Sequence, residues 1–317
     1  MLNSWFLVQD IVNFIMTKTA ILLRGSVDLF CMALVGIPLL IMYKVVVAYK
    51  RGFYCDDQSL MHPYKSNTIP TWVAGFVGLV LPSLAIIIVE IGREKKNAGS
   101  SLFNKTFFAI MYKLFITFLF GVAVTQLITD IAKYSIGRLR PHFLTVCKPI
   151  VPNCTSTTGF ITEDICTGTD KDAIEEARLS FPSGHSSISF YCMVYFMVYL
   201  HLRCTWKKSW LIRPVLQVGA FIFAYYTALS RISDYMHHWS DVLCGALIGI
   251  IISLLVIFYL SGLYDKRCFQ GSTVGDKTLP LYTRPSINNR HDVQWSPSSL
   301  SDESSNGLDK VTVVNSM

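Results

Sequence analysis

Charge is what this chain has least of. Only 15% of its 317 residues are Asp, Glu, Lys or Arg, whereas a water-facing globular domain carries roughly 25%. That shortage argues against a soluble enzyme and for a surface that faces lipid. No nucleic-acid motif is present, so no nucleic-acid partner is expected, and the formal net charge of +7 is assigned to the Lys and Arg of cytoplasmic loops. The nine cysteines form no C-x-x-C pair and have no His spacing suited to zinc. No group of acids beside the motifs below resembles a metal site, so no metal or other cofactor is expected. The first 23 residues lack a basic n-region and an A-x-A site, which argues against a cleaved signal peptide and for an interfacial helix. There is no internal repeat.

What the chain has in abundance is apolar sequence: 52% of it is AVILMFWYC. A hydrocarbon core of about 30 Å needs about 20 apolar residues of helix, and runs of that order predict six spans. They cover Asp28 to Tyr43, Thr71 to Ile91, Leu114 to Ile131, Ser186 to Leu202, Leu211 to Leu229 and Val242 to Leu263. The expected fold is therefore an all-α integral membrane protein with six transmembrane helices. It divides into an N-terminal cytoplasmic or interfacial segment (1–25), a membrane domain (26–263) and a disordered cytoplasmic tail (264–317). The tail is rich in Ser and Asn and cannot bury enough apolar surface to fold alone.

Orientation follows from the short loops. The second connection carries Arg93, Lys95, Lys96 and Lys105 against Glu94, and the fourth carries Arg203, Lys207, Lys208 and Arg213 with no acid, so both are expected in the cytoplasm. The long third connection, Tyr134 to His185, has a balance of acids and bases and is expected outside or in a lumen. The first fits less well, with Lys50, Arg51 and Lys65 outside against Asp56 and Asp57. In an oxidising compartment the outer cysteines, Cys55, Cys147, Cys154 and Cys166, are open to disulfides, most simply within Cys147, Cys154 and Cys166. Of two glycosylation sequons, Asn153-Cys154-Thr155 would be luminal and Asn104-Lys105-Thr106 cytoplasmic, so a glycan is expected on Asn153.

Three segments carry chemistry. KYSIGRLRP, Lys133 to Pro141, crowds Lys133, Arg138 and Arg140 at the end of the third span; it reads as an anion site, with headgroup snorkelling as the alternative. SFPSGHSS, Ser180 to Ser187, puts Ser183 and Gly184 at a helix N-terminus, a ready anion cradle or a plain cap, with His185 beside it as a proton donor or acceptor. SRISDYMHHWSD, Ser230 to Asp241, spaces His237 and Asp241 four apart. On a helix the carboxylate would accept from one imidazole nitrogen and leave the other free to attack, with His238 a bystander. All three segments lie at one membrane face in any orientation.

The runs K-x6-R-P (Lys133, Arg140, Pro141), P-S-G-H (Pro182 to His185) and S-R-x5-H-x3-D (Ser230, Arg231, His237, Asp241) resemble the signature of the type 2 phosphatidic acid phosphatase superfamily. RGFYCDD at Arg51 to Asp57 and IGRLRPHFLTVC at Ile136 to Cys147 look like stretches of its lipid phosphate phosphatase (phospholipid phosphatase) family. The resemblance covers about residues 26 to 263. It implies a six-helix enzyme of the plasma membrane, its active site at the outer or luminal face. Such an enzyme hydrolyses phosphatidate, lysophosphatidate, sphingosine 1-phosphate and ceramide 1-phosphate without a metal. By the same resemblance, His237 is the nucleophile that forms a phosphohistidine, Asp241 its orienting group, and His185 the acid and then the base. Lys133, Arg140, Arg231, Ser183 and Gly184 match the phosphate-binding positions. The alternatives are a catalytically silent relative that binds lipids or proteins, and an endoplasmic-reticulum phosphatase of sphingoid or sugar phosphates. Monomer and homo-oligomer both stay open.

Overall fold

A computed structural model of the chain describes residues 2–97, 104–149, 159–204 and 210–263, with side chains described from residue 22 onward and not at Asn97. Among these residues the chain is helical with no strands; two isolated bridges, Phe53 to Ile161 and Pro149 to Cys166, tie loops together. The helices are α1 (Leu2–Lys44), α2 (Thr71–Asn97), α3 (Lys105–Ile136), α4 (Phe143–Cys147), α5 (Lys171–Glu176), α6 (Gly184–Arg203), α7 (Ile212–Ser233) and α8 (Trp239–Leu255). A π-helical turn, Val256–Leu260, extends α8.

Five of these are long and apolar enough to cross a membrane: Leu22–Lys44, Thr71–Lys96, Lys105–Ile136, Ile212–Ser233 and Trp239–Leu260. Their outward faces expose large apolar side chains such as Leu29, Phe30, Phe76, Val215, Leu247 and Ile251, the pattern of a helix that faces hydrocarbon. The chain is a multi-pass membrane protein. The remaining expected span, the fourth at Ser186 to Leu202, corresponds to α6, which is too polar to stand with the other five. The reason is its position: α6 packs against α2, α3, α7 and α8, and its buried side includes Ser186, Ser187, Ser189, Tyr191, Tyr195 and Tyr199. A helix enclosed by protein need not be apolar all round.

The first expected span, placed at Asp28 to Tyr43, is part of one continuous helix that begins at Leu2. Its charge has a partner, since the Tyr112 hydroxyl on α3 donates to Asp28 at 2.9 Å. The tail at 264–317 and Asn153 lie outside the described residues.

Close helix contact needs small residues. Gly245 and Gly249 of α8 lie on the Ser183 and Ser187 carbonyls of α6, where a Cβ would collide with backbone. This contact draws the start of α8 against the start of α6, and so brings two of the three motif segments together. At the other end of the bundle, buried Glu90 accepts from Tyr199 Oη at 3.0 Å and pairs with Arg203 and Arg93 at 3.6 and 3.7 Å, which pins α2 to α6.

The loops between α1 and α2 and between α3 and α6 fold into a lid with its own small core of Phe53, Leu60, Leu139, Phe143 and Ala177. A Cys147–Cys166 disulfide, drawn from the expected trio, crosses it, and Cys55 is disulfide-bonded as well. Two of the three cations that fitted the first connection poorly, Lys50 and Lys65, have partners here. Lys50 pairs with Asp164 at 3.1 Å, and Lys65 donates to the Ser233 carbonyl at 3.3 Å and sits 4.5 Å over the Tyr235 ring. Asp164 takes Arg178 too, at 3.1 Å; burial would raise its pKa, but Lys50 and Arg178 hold it below the usual carboxylate value.

Candidate active site

Below the lid, a cavity of about 540 Å³ opens between α1, α2, α3 and α6. One end of its lining is apolar, with Leu79, Val122 and Ile188, and the other carries Lys133, Arg140, Gly184, His185 and His237. Five of the eight motif residues expected in the site thus meet on one surface. Lys133 arrives on the last turn of α3, which Gly137 ends in the left-handed conformation (φ 57°) against the Tyr49 carbonyl, where only glycine fits.

The extended chain after Gly137 separates the two arginines. Side chains two apart along an extended strand usually share a face, yet here Arg138 and Arg140 go to different partners. Arg140 is buried and enters the cavity, where its Nη1 pairs with Glu176 of α5 at 3.0 Å while its Nε has no partner among the described residues. Arg138 turns to α8 and donates to Asp241 at 2.5 Å and to Ser240 Oγ at 2.8 Å. The expectation that Lys133, Arg138 and Arg140 all serve one anion site is therefore corrected: Arg138 does not line the cavity and neutralises a buried carboxylate instead.

His185 opens α6 one residue after Gly184, close to Lys133; a Cβ on Gly184 would sit 3.4 Å from Lys133 Nζ. His185 Nε2 is buried and has no hydrogen-bond partner among the described residues. Ser183 lies behind the cavity wall, fully buried. It caps α6, its Oγ accepting from Ser186 N at 3.5 Å, and its own N–H donates to the Asp241 carbonyl at 3.0 Å. The capping alternative is thus realised for this residue.

His237 is buried, and its Nδ1 lies 2.7 Å from the Ser180 carbonyl. A carbonyl can only accept, so Nδ1 carries the proton and Nε2 the lone pair. Asp241 stands 4.0 Å from that nitrogen, beyond hydrogen-bond reach. The expected direct pairing is corrected for a geometric reason: α8 begins at Trp239, so His237 precedes the helix and the i, i+4 register does not apply to it. Asp241 accepts instead from Ser180 Oγ at 2.6 Å, from His238 N at 3.0 Å and from Arg138, with His238 Nδ1 3.2 Å away. It holds Ser180, and Ser180 holds His237. Burial, then the nearby Arg140 and Lys133 charges, push the His237 pKa well below its ordinary value, so the imidazole is neutral.

Arg231 is almost fully buried behind the cavity and heavily bonded, to Ser230 Oγ, to Asp234 at 3.0 Å and to Asn67 Oδ1 at 2.8 Å; its carbonyl accepts from the Met236 and His237 amides. The first loop supplies more: Thr68 gives its N–H and hydroxyl to Asp234 at 2.8 and 2.7 Å. Tyr235 bends the chain at φ 56°, stacks on His62 and receives His142 Nδ1 on its carbonyl at 2.8 Å. Asn67, Thr68 and Glu176 were not singled out in the sequence, and Ser180, which opens the second motif segment, was given no role. For the first three the available signal was topological, since the connections that carry them share the motif face. Among the described residues, no three His, Cys, Asp or Glu side chains gather as a metal centre would require.

The PAP2 superfamily profile matches residues 114–264, which span all three motif segments. Phospholipid phosphatase 1 of Mus musculus is 41% identical over 83% of this chain and 94% of its own length. Phospholipid phosphatase 2 of Homo sapiens is 41% identical over 76% of this chain and 83% of its own. A Drosophila melanogaster protein named as a candidate phosphatidate phosphatase is 43% identical over 79% and 72%. No solved structure matches the chain. The chain belongs to the phospholipid phosphatase family of the PAP2 superfamily.

Proposed function

We propose that this enzyme is a lipid phosphate phosphatase that removes phosphate from phosphatidate, lysophosphatidate, sphingosine 1-phosphate and ceramide 1-phosphate through a phosphohistidine on His237. The observation that carries the reading is the cavity itself. One end is apolar and the other holds Lys133, Arg140, His185 and His237, with Arg140 Nε and His185 Nε2 buried and, among the described residues, unpartnered. A lipid tail suits the first end and a phosphate the second.

In this mechanism His237 Nε2 attacks phosphorus while the bond to the ester oxygen breaks, and His185 gives that oxygen its proton. The phosphate dianion beside His185 favours the protonated imidazole needed for this step. His185, now neutral, takes a proton from water, whose oxygen attacks phosphorus and breaks the N–P bond, releasing inorganic phosphate. Charge on the transferring group is met by Lys133 and Arg140, which line the cavity, and by Arg231 through its charge from behind the wall, with Ser183 and Gly184 at the α6 N-terminus contributing after a small shift of the cap. Asp241 acts on His237 through Ser180. Six spans, with α6 as the fourth, put the catalytic end outside the plasma membrane and the basic second and fourth connections in the cytoplasm.

The test is phosphate release by the purified full-length protein from lipid and sugar monophosphates with chelator present. Lipid phosphates should be hydrolysed, and His237→Ala should lower turnover by roughly 10³-fold or more. Loss of activity on chelation restored by Mg²⁺, or labelled phosphate trapped on Ser183, would overturn the mechanism. For orientation, a glycosidase-sensitive mass shift should vanish in Asn153→Gln and persist in Asn104→Gln; the reverse would put the catalytic end in the cytosol.

A further inference from the structure

One face of α3 supplies a continuous stripe to the cavity. Val122, Gln126, Asp130 and Lys133, spaced four, four and three residues apart, all line it. The stripe runs from apolar to cationic, and Asp130 interrupts it. A carboxylate in the wall of an anion site weakens phosphate binding, and an ionisable residue within a span calls for a partner. Yet among the described residues no cation lies within 4.0 Å of Asp130. Its neighbour is Gln126, whose Nε2 donates to both carboxylate oxygens at 2.9 and 2.8 Å and so holds the group in place.

Position suggests the use. Asp130 lies about 4.5 Å along the helix axis from Lys133, on the side of the apolar end. With the phosphate at Lys133, that level is reached by the substituent on the second carbon beyond the ester oxygen. We infer that Asp130, held by Gln126, is a specificity-determining residue that accepts a hydrogen bond from a donor on that carbon. An ammonium, as in sphingosine 1-phosphate, serves best because the bond is then between opposite charges. A diacyl lipid offers only ester oxygens there, and two acceptors facing each other leave both unpaired. The inference rests on the phosphatase reading of the same cavity.

The experiment measures kcat/KM of the purified full-length protein in mixed micelles for three lipids: sphingosine 1-phosphate, its analogue with hydrogen in place of the ammonium, and phosphatidate. The wild type should prefer sphingosine 1-phosphate to the analogue by about tenfold. Asp130→Asn should lower the ratio of sphingosine 1-phosphate to phosphatidate by about tenfold. A ratio unchanged by the substitution, with both activities falling together, would overturn the inference in favour of a purely structural carboxylate. Should Asp130→Asn fail to fold, the wild-type comparison decides: equal kcat/KM for sphingosine 1-phosphate and the analogue also overturns it. No hydrolysis of any of the three by the wild type refutes the phosphatase reading itself.

Discussion

Replacing Arg138 with Met separates the two roles an arginine could have beside this site. Arg138 Nη1 donates to Asp241 Oδ1 at 2.5 Å, and the Asp241 side chain is 0% exposed while that of Arg138 is 32% exposed. Removing one partner of a fully buried pair costs about 3–5 kcal/mol. Here Asp241 Oδ2 keeps Ser180 Oγ and the His238 amide, and water can reach the place of the lost guanidinium. The expected cost is therefore lower, about 1–2 kcal/mol, or roughly 2–8 °C of unfolding temperature for a domain of this size. Catalysis should suffer through the chain Asp241 to Ser180 to His237, so kcat falls while KM stays near the wild-type value. Arg140→Met, by contrast, removes a cation that lines the cavity and should raise KM. Thermal unfolding in detergent with steady-state kinetics on one lipid phosphate reads both quantities. If Arg138→Met raised KM as Arg140→Met does and left the unfolding temperature unchanged, Arg138 would be binding phosphate and the assignment would be wrong.

Two further outcomes are expected. Glu176 occupies Arg140 at 3.0 Å from a side chain that is 66% exposed; an incoming phosphate must share that arginine, and a pair this exposed is worth about 0–1 kcal/mol. Glu176→Gln should thus lower KM by up to about fivefold, and a raised KM would mean that Glu176 assists binding. The depressed pKa of His237 sets a pH dependence of stability. The unfolded imidazole takes a proton below about 6.5 and the folded one only at much lower pH, so stability is intact above that value and is lost as pH falls toward the folded pKa. The unfolding temperature should drop between pH 7 and pH 5, and less steeply in His237→Gln; identical slopes would show that His237 is not the group responsible.

Much of the site was legible before folding. Lys133, Arg140, Gly184, His185 and His237 sit in three segments that any insertion of these spans places at one membrane face, and all five line the cavity. Linear spacing failed where it assumed a regular backbone. The four-residue step from His237 to Asp241 implies a shared helical face, but the helix starts between them and the carboxylate reaches Ser180 instead. Arg138 and Arg140 read as equal cations, yet beyond Gly137 the backbone is irregular and each guanidinium follows its own partner.

By itself the sequence determined that the chain enters lipid, where its long helices run and which residues carry charge to one end, because the cost of burying charge in hydrocarbon acts on local composition. Only the tertiary structure decided what that charge does. The close approach of α8 to α6 over Gly245 and Gly249, the return of the first loop onto Arg231 and Asp234, and the stripe of α3 that turns Asp130 into the cavity are all contacts between residues far apart in the chain. Their partners are set by packing and by hydrogen-bond geometry in three dimensions, which no local pattern of residue types encodes.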